Sequence, residues 1–151
     1  MQDAVRARTP VHLWIVGALA LLWNGFGCYD YLMIRMRNTD YLREMNAAVD
    51  PQAALAWVDQ FPIWAQFAWG LGVWGGLLGA VLLLMRSRWA VLATGLSLFG
   101  AVVGIGYQAL AAPELPGMTG GMAAIMHAMV IGVALALFVY ARAMRTKGVL
   151  R

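Results

Sequence analysis

Three observations predict an all-α, polytopic membrane protein with four transmembrane helices. Four apolar runs of roughly 20 to 24 residues fill most of the 151-residue chain. Hydrophobic residues make up 62% of it and charged residues 12%. Its mean hydropathy is +0.70. A helix rises about 1.5 Å per residue and the hydrocarbon core is about 30 Å thick, so each run is long enough to span. No hydrophilic stretch is long enough to bury a second core, so residues 1–151 form a single four-helix domain.

The first run, Val11–Ile34, follows Arg6 and Arg8 and so has the outline of a signal peptide. Gly25-Phe26-Gly27 before Cys28 mimics a processing site. However, Phe26 is bulky where such sites want small residues, and apolar character resumes through Tyr31-Leu-Met-Ile34. A retained helix is therefore expected, with the lone Cys28 as a small packing residue that has no internal disulfide partner. The segment from Arg35 to Pro62 carries Asn38-Thr-Asp, a helix stop and restart, then Asp50-Pro51, an N-cap followed by proline at the first helical position. Ala53, Leu55, Ala56, Trp57 and Phe61 predict a short amphipathic helix on the membrane surface. It serves as a lid packed on the bundle mouth or, alternatively, as a partner-binding surface.

The second run is Ile63–Met85 and the third Trp89–Ala112. The tight turn Arg86-Ser-Arg88 makes these two antiparallel neighbours. Gly72–Gly76 and Gly75–Gly79 are small-xxx-small pairs on one face of the second helix, turned away from Gln66, and Gly100–Gly104 repeats the pattern on the third. Such faces let helices approach closely, within the chain or between protomers. Pro113-Glu-Leu-Pro-Gly is a loop rich in helix breakers, and Met122–Ala141 is the fourth run.

Orientation follows from the basic residues. Arg6, Arg8, Arg86, Arg88, Arg142, Arg145, Lys147 and Arg151 fall on one side of a four-span arrangement, against Arg35, Arg37 and Arg43 on the other. The excess puts both termini in the cytoplasm. It also explains the sequence pI near 9.7 without nucleic acid, because the basic residues flank the spans rather than forming a patch.

Ionisable and polar groups within spans are costly and each is a candidate for function. Asp30 lies near the outer headgroups, where Arg35 or Arg37 is placed to pair with it. Asn24 is deeper and, at 100° per residue, about 120° around the helix from Asp30, so the two are not expected to share a face. His127 lies about 9 Å in from the outer end of the fourth helix. Its stripe of mostly small residues matches the stripe Ser97, Gly100, Gly104 and Gln108 on the third helix. His127, Gln108, Gln66, Asn24 and Asp30 are thus the expected contacts of an outward-facing polar cluster, for a small polar solute or a proton. The bland alternative is a histidine hydrogen-bonded inside a packed bundle. His12 lies at the opposite edge, roughly 20 Å from His127 along the normal, so the two cannot ligate one iron. No metal, cofactor or catalytic residue is expected, since there is no HExxH, no Cys pair and no paired carboxylates at useful depth.

Leu21-Leu-Trp-Asn-Gly-Phe-Gly-Cys-Tyr-Asp-Tyr, Arg37-Asn, Phe61-Pro-Ile-Trp, Gly72-Val-Trp-Gly-Gly, Leu84-Met-Arg-Ser-Arg and the tail Tyr140-Ala-Arg-Ala-Met-Arg-Thr-Lys-Gly-Val-Leu-Arg151 carry a resemblance over nearly the whole chain. It resembles a family of small four-helix bacterial inner-membrane proteins commonly labelled sugar transporters. The resemblance implies a bacterial inner-membrane location and a transporter-like protein, with no substrate or site residues to carry over. The small multidrug resistance proteins are similar in helix count, but they place an acid mid-membrane in the first helix. The three-helix sugar carriers use a Pro-Gln pair within a helix, whereas Pro51-Gln52 falls in a loop here. The expected function is permease-like rather than enzymatic. The alternative is an accessory or assembly subunit docked through its glycine faces, either as a homo-oligomer or within a larger membrane complex.

Overall fold

The computed structural model describes residues 9–115, 117–118 and 120–151, and these contain six helices and no strand. The helices are α1 (Val11–Arg35), α2 (Thr39–Met45), α3 (Pro51–Asp59), α4 (Ile63–Leu84), α5 (Ala90–Leu110) and α6 (Gly120–Thr146). Four of them (α1, α4, α5 and α6) are long and apolar enough to cross a membrane. The helix α6 continues five residues beyond the apolar run, which ends at Ala141. The reason is that Arg142, Ala143, Met144 and Arg145 are good helix formers, and hydropathy marks the apolar stretch rather than the helix end.

The glycine faces are filled within the chain. A Cβ on Gly72 would meet the Ala101 nitrogen at 3.1 Å, and one on Gly75 the Ser97 nitrogen at 3.1 Å. On Gly100 it would lie 2.5 Å from both the Ala68 oxygen and the Gly72 nitrogen. Gly79 abuts Thr94, and Gly104 faces the Trp69 backbone. Backbone therefore packs on backbone along α4 and α5. Lipid tails are as apolar as leucine, so close van der Waals contact of this kind is what holds membrane helices together.

On its other flank α4 receives α1. Leu84 fills the space beside Gly17, the Cys28 thiol donates to the Val73 carbonyl at 3.6 Å, and the Tyr31 and Trp69 rings meet edge to face at 4.9 Å. α6 packs on α5, where the Phe138 ring lies against Gly95. α1 and α6 meet at the end of the bundle where α1 begins and α6 ends. His12 Nδ1 and the Tyr140 hydroxyl are 2.5 Å apart there. Beside them Leu13, Leu83, Ala90, Ala141, Met144, Val149 and Leu150 form a fully buried apolar plug. The C-terminal residues join it through reciprocal backbone bonds, Arg88 N–H to the Arg151 carbonyl (2.7 Å) and Arg151 N–H to the Arg86 carbonyl (2.8 Å).

The opposite end is built from loops. Asn38 caps α2 by accepting from the Tyr41 N–H at 3.0 Å, and Asp50 caps α3 through the Ala53 N–H at 3.0 Å; each such cap contributes about 1 kcal/mol. Trp57 Nε1 donates to the Pro113 carbonyl at 2.6 Å, and Phe61 stacks edge-on against Trp57 and Tyr107. Val49, Leu55 and Phe61 are buried at this end.

Candidate functional site

A cavity of about 880 Å³ lies between the plug and the loops, lined by all four long helices and roofed by residues of α2, α3 and the loop residues Ala112, Pro113, Glu114, Leu115 and Met118. That volume falls in the range of small-molecule sites. It exists because α1 and α6, joined at His12 and Tyr140, leave a space between them loop-ward of that contact. On α1 its wall runs from Trp23 to Ile34, and on α6 from Gly120 to Leu137. α6 buries only Ala141 and Met144, both at the plug.

Four of the five expected polar contacts line this cavity: His127, Gln108, Asn24 and Asp30. Gln66 does not. It accepts from Arg35 Nη1 at 2.8 Å and donates to the Phe61 carbonyl at 2.9 Å, so it ties the loop to the head of α4. Asn24 and Asp30 both line the cavity, although they lie about 120° apart around α1.

The polar groups sort by depth. At the floor, Asn24 Nδ2 donates to the Ala20 carbonyl at 2.8 Å, and the Asn24 Oδ1 faces Gly76, which has room for it only because it lacks a Cβ. Beside it Ser97 Oγ donates to the Gly72 carbonyl at 2.6 Å, and Thr94 Oγ1 to the Ala90 carbonyl at 2.7 Å. These groups are spent on backbone. Nearer the loops, His127 and Gln108 face the cavity with no hydrogen bond to any described residue. His127 lies about 10 Å from the start of α6 and Gln108 about 3 Å from the end of α5.

Asp30 departs from expectation in its partner. Arg37 pairs instead with Asp59, at 3.0 and 3.1 Å, and Arg35 with Gln66. The Asp30 carboxylate accepts from the Tyr41 hydroxyl at 2.9 Å. Burial first, then the Asp30 carboxylate and Tyr29, hold the Tyr41 phenol well above its ordinary range, so it remains a donor at any physiological pH. Sequence reasoning missed Tyr41. The only available signal was its place three residues after the capping Asn38, which fixes it on the first turn of α2 facing back toward α1.

Chemically, the site offers a largely apolar chamber with two hydrogen-bonding side chains, His127 and Gln108, that have no partner among the described residues, the carboxylates Asp30 and Glu114 toward the loops, satisfied polar groups at the floor, and an apolar seal at the far end. Comparison with known proteins finds no matching family model, no matching curated protein and no matching solved structure.

Proposed function

We propose that the protein is permease-like: it admits a small solute bearing a polar or charged group from the loop side into the cavity, where His127, Gln108 and Asp30 receive it and Asn24 marks the floor. In this reading α1, α4, α5 and α6 all cross a bacterial inner membrane, and the excess of Lys and Arg beside the plug keeps both termini cytoplasmic. The observation that carries it is the pair of unpartnered polar side chains, His127 and Gln108, in a chamber closed at the other end by buried Leu13, Leu83 and Met144. A group left without a hydrogen bond in hydrocarbon is costly, so ligand or water has a role there.

Counterflow of a panel of sugars, amino acids and organic cations in proteoliposomes tests this reading. His127→Ala is expected to cut uptake of the transported solute at least tenfold while the chain still extracts as one species. Undiminished uptake would end it.

An accessory or assembly subunit, as a homo-oligomer or in a larger complex, is the second reading. It is favoured by α6, which buries no residue between Gly120 and Tyr140. A stoichiometric partner recovered from native membranes in mild detergent would support it.

A further inference from the structure

The charge pattern of the cavity narrows the solute class. Among the described residues that line it there is no Lys or Arg, although the whole chain carries a formal net charge of +4. Two carboxylates, Asp30 and Glu114, do line it. The guanidiniums nearest to Asp30 in sequence are engaged elsewhere, Arg35 on Gln66 and Arg37 on Asp59. Asp30 thus keeps a neutral partner, the Tyr41 hydroxyl, and no cation among the described residues. A carboxylate in a low-dielectric chamber without a counter-ion is strongly unfavourable, and a cation brought in by a ligand would offset that cost.

The remaining walls suit such a ligand. Trp23, Trp57, Trp69 and Phe61 all line the chamber, and aromatic faces attract cations through their ring quadrupoles. Polar side chains such as Asn24, Asn46, Thr94, Ser97, Gln108 and His127 interrupt the lining, but most of the rest is apolar, which favours a ligand with a large apolar body. A compact ammonium would give up a tightly held hydration shell to enter, whereas a cation whose charge is spread or shielded by apolar groups gives up far less.

We propose that the cavity binds an organic cation with a bulky apolar body, its charge met by Asp30 and its body by the aromatic and aliphatic walls of the chamber. The proposal rests on the reading of this cavity as a solute site and names the class of solute.

Equilibrium dialysis of the full chain in neutral detergent tests it, with protein-free micelles as the blank. The probes are tetraphenylphosphonium and tetraphenylborate, which share a shape and differ in sign. The phosphonium is expected to bind saturably, one per chain, and at least tenfold more tightly than the borate. Asp30→Asn should weaken it tenfold or more, and Asp30→Glu should restore most of that loss. Tyr41→Phe keeps the carboxylate and should change affinity less than threefold. Equal or tighter binding of the borate would overturn the proposal without any variant. So would absence of saturable phosphonium binding, or an Asp30→Asn chain that binds it as the wild type does. If the sign preference is missing while His127-dependent uptake of another solute persists, the cation is overturned and the permease reading stands. Tight, Asp30-dependent phosphonium binding with no uptake of any solute supports the cation and removes transport.

Discussion

The α4–α5 seam and the α1–α6 side are made of similar residues and packed in opposite ways. Along the seam, glycine is present because another backbone occupies the place of its side chain, as at Gly72, Gly75 and Gly100. On α6, Gly132 has nothing within 4 Å of where a Cβ would stand, and the same is true of Gly25 and Gly27 on α1. The contrast teaches that a glycine-rich apolar helix is no guide to packing by itself. One pair of helices serves as a rigid spine, and the two outer helices lean on it, meeting at the plug and leaving a chamber.

The largest expected effect follows from that contrast. Gly100→Ala places a Cβ 2.5 Å from the backbone of α4, which cannot yield without separating the helices. Thermal unfolding in detergent should show a loss of about 1–3 kcal/mol. Gly132→Ala should be neutral or stabilising by up to about 1 kcal/mol, because alanine is the better helix former and meets only open space. Equal losses at the two sites would erase the distinction between the packed spine and the outer helices. The smallest effect should come from the loop ion pair. Arg37 and Asp59 are both more than half exposed, at 55% and 57%, so Arg37→Ala should cost less than about 1 kcal/mol and should fade further in high salt.

Much of the fold was legible in the sequence. Apolar run length marked α1 and α4–α6 to within a few residues at most ends, since a bilayer demands continuous hydrophobicity. The small-residue spacing on α4 and α5 marked the seam, although it could not say whether the seam closed within the chain or between copies. Asn38 and Asp50-Pro51 marked two helix starts because capping chemistry is local. The chamber was only half legible. His127, Gln108, Asn24 and Asp30 stood out because polar groups are rare in spans, but no local pattern says that α1 and α6 part. Arg37 and Arg86 turn the chain at positive φ, 56° and 59°, where arginine gives no warning. The turn at Arg37 leads into α2, whose Tyr41 reaches Asp30. It also frees both guanidiniums for Gln66 and Asp59. Those pairings depend on tertiary placement and lie beyond any spacing rule.

The glycine result also bears on the accessory-subunit reading. Gly76 faces Asn24 and Ser97 inside the chain, so Gly76→Leu would disturb the cavity floor before it disturbed any partner. In that reading the docking face is the uncovered side of α6, which buries no residue between Gly120 and Tyr140.

In the permease reading, water reaches the chamber from the loop side and is stopped at the plug. Cysteine labelling tests it most directly, since a thiol reacts with maleimide only where water lets it ionise. In a Cys28→Ala background, Ala124→Cys on the chamber wall should be modified by a membrane-impermeant maleimide added outside intact cells. Ala141→Cys, at a position fully buried in the plug, should resist reagent from either face. Labelling of Ala124→Cys only from the cytoplasmic face, or ready labelling of Ala141→Cys, would contradict the account.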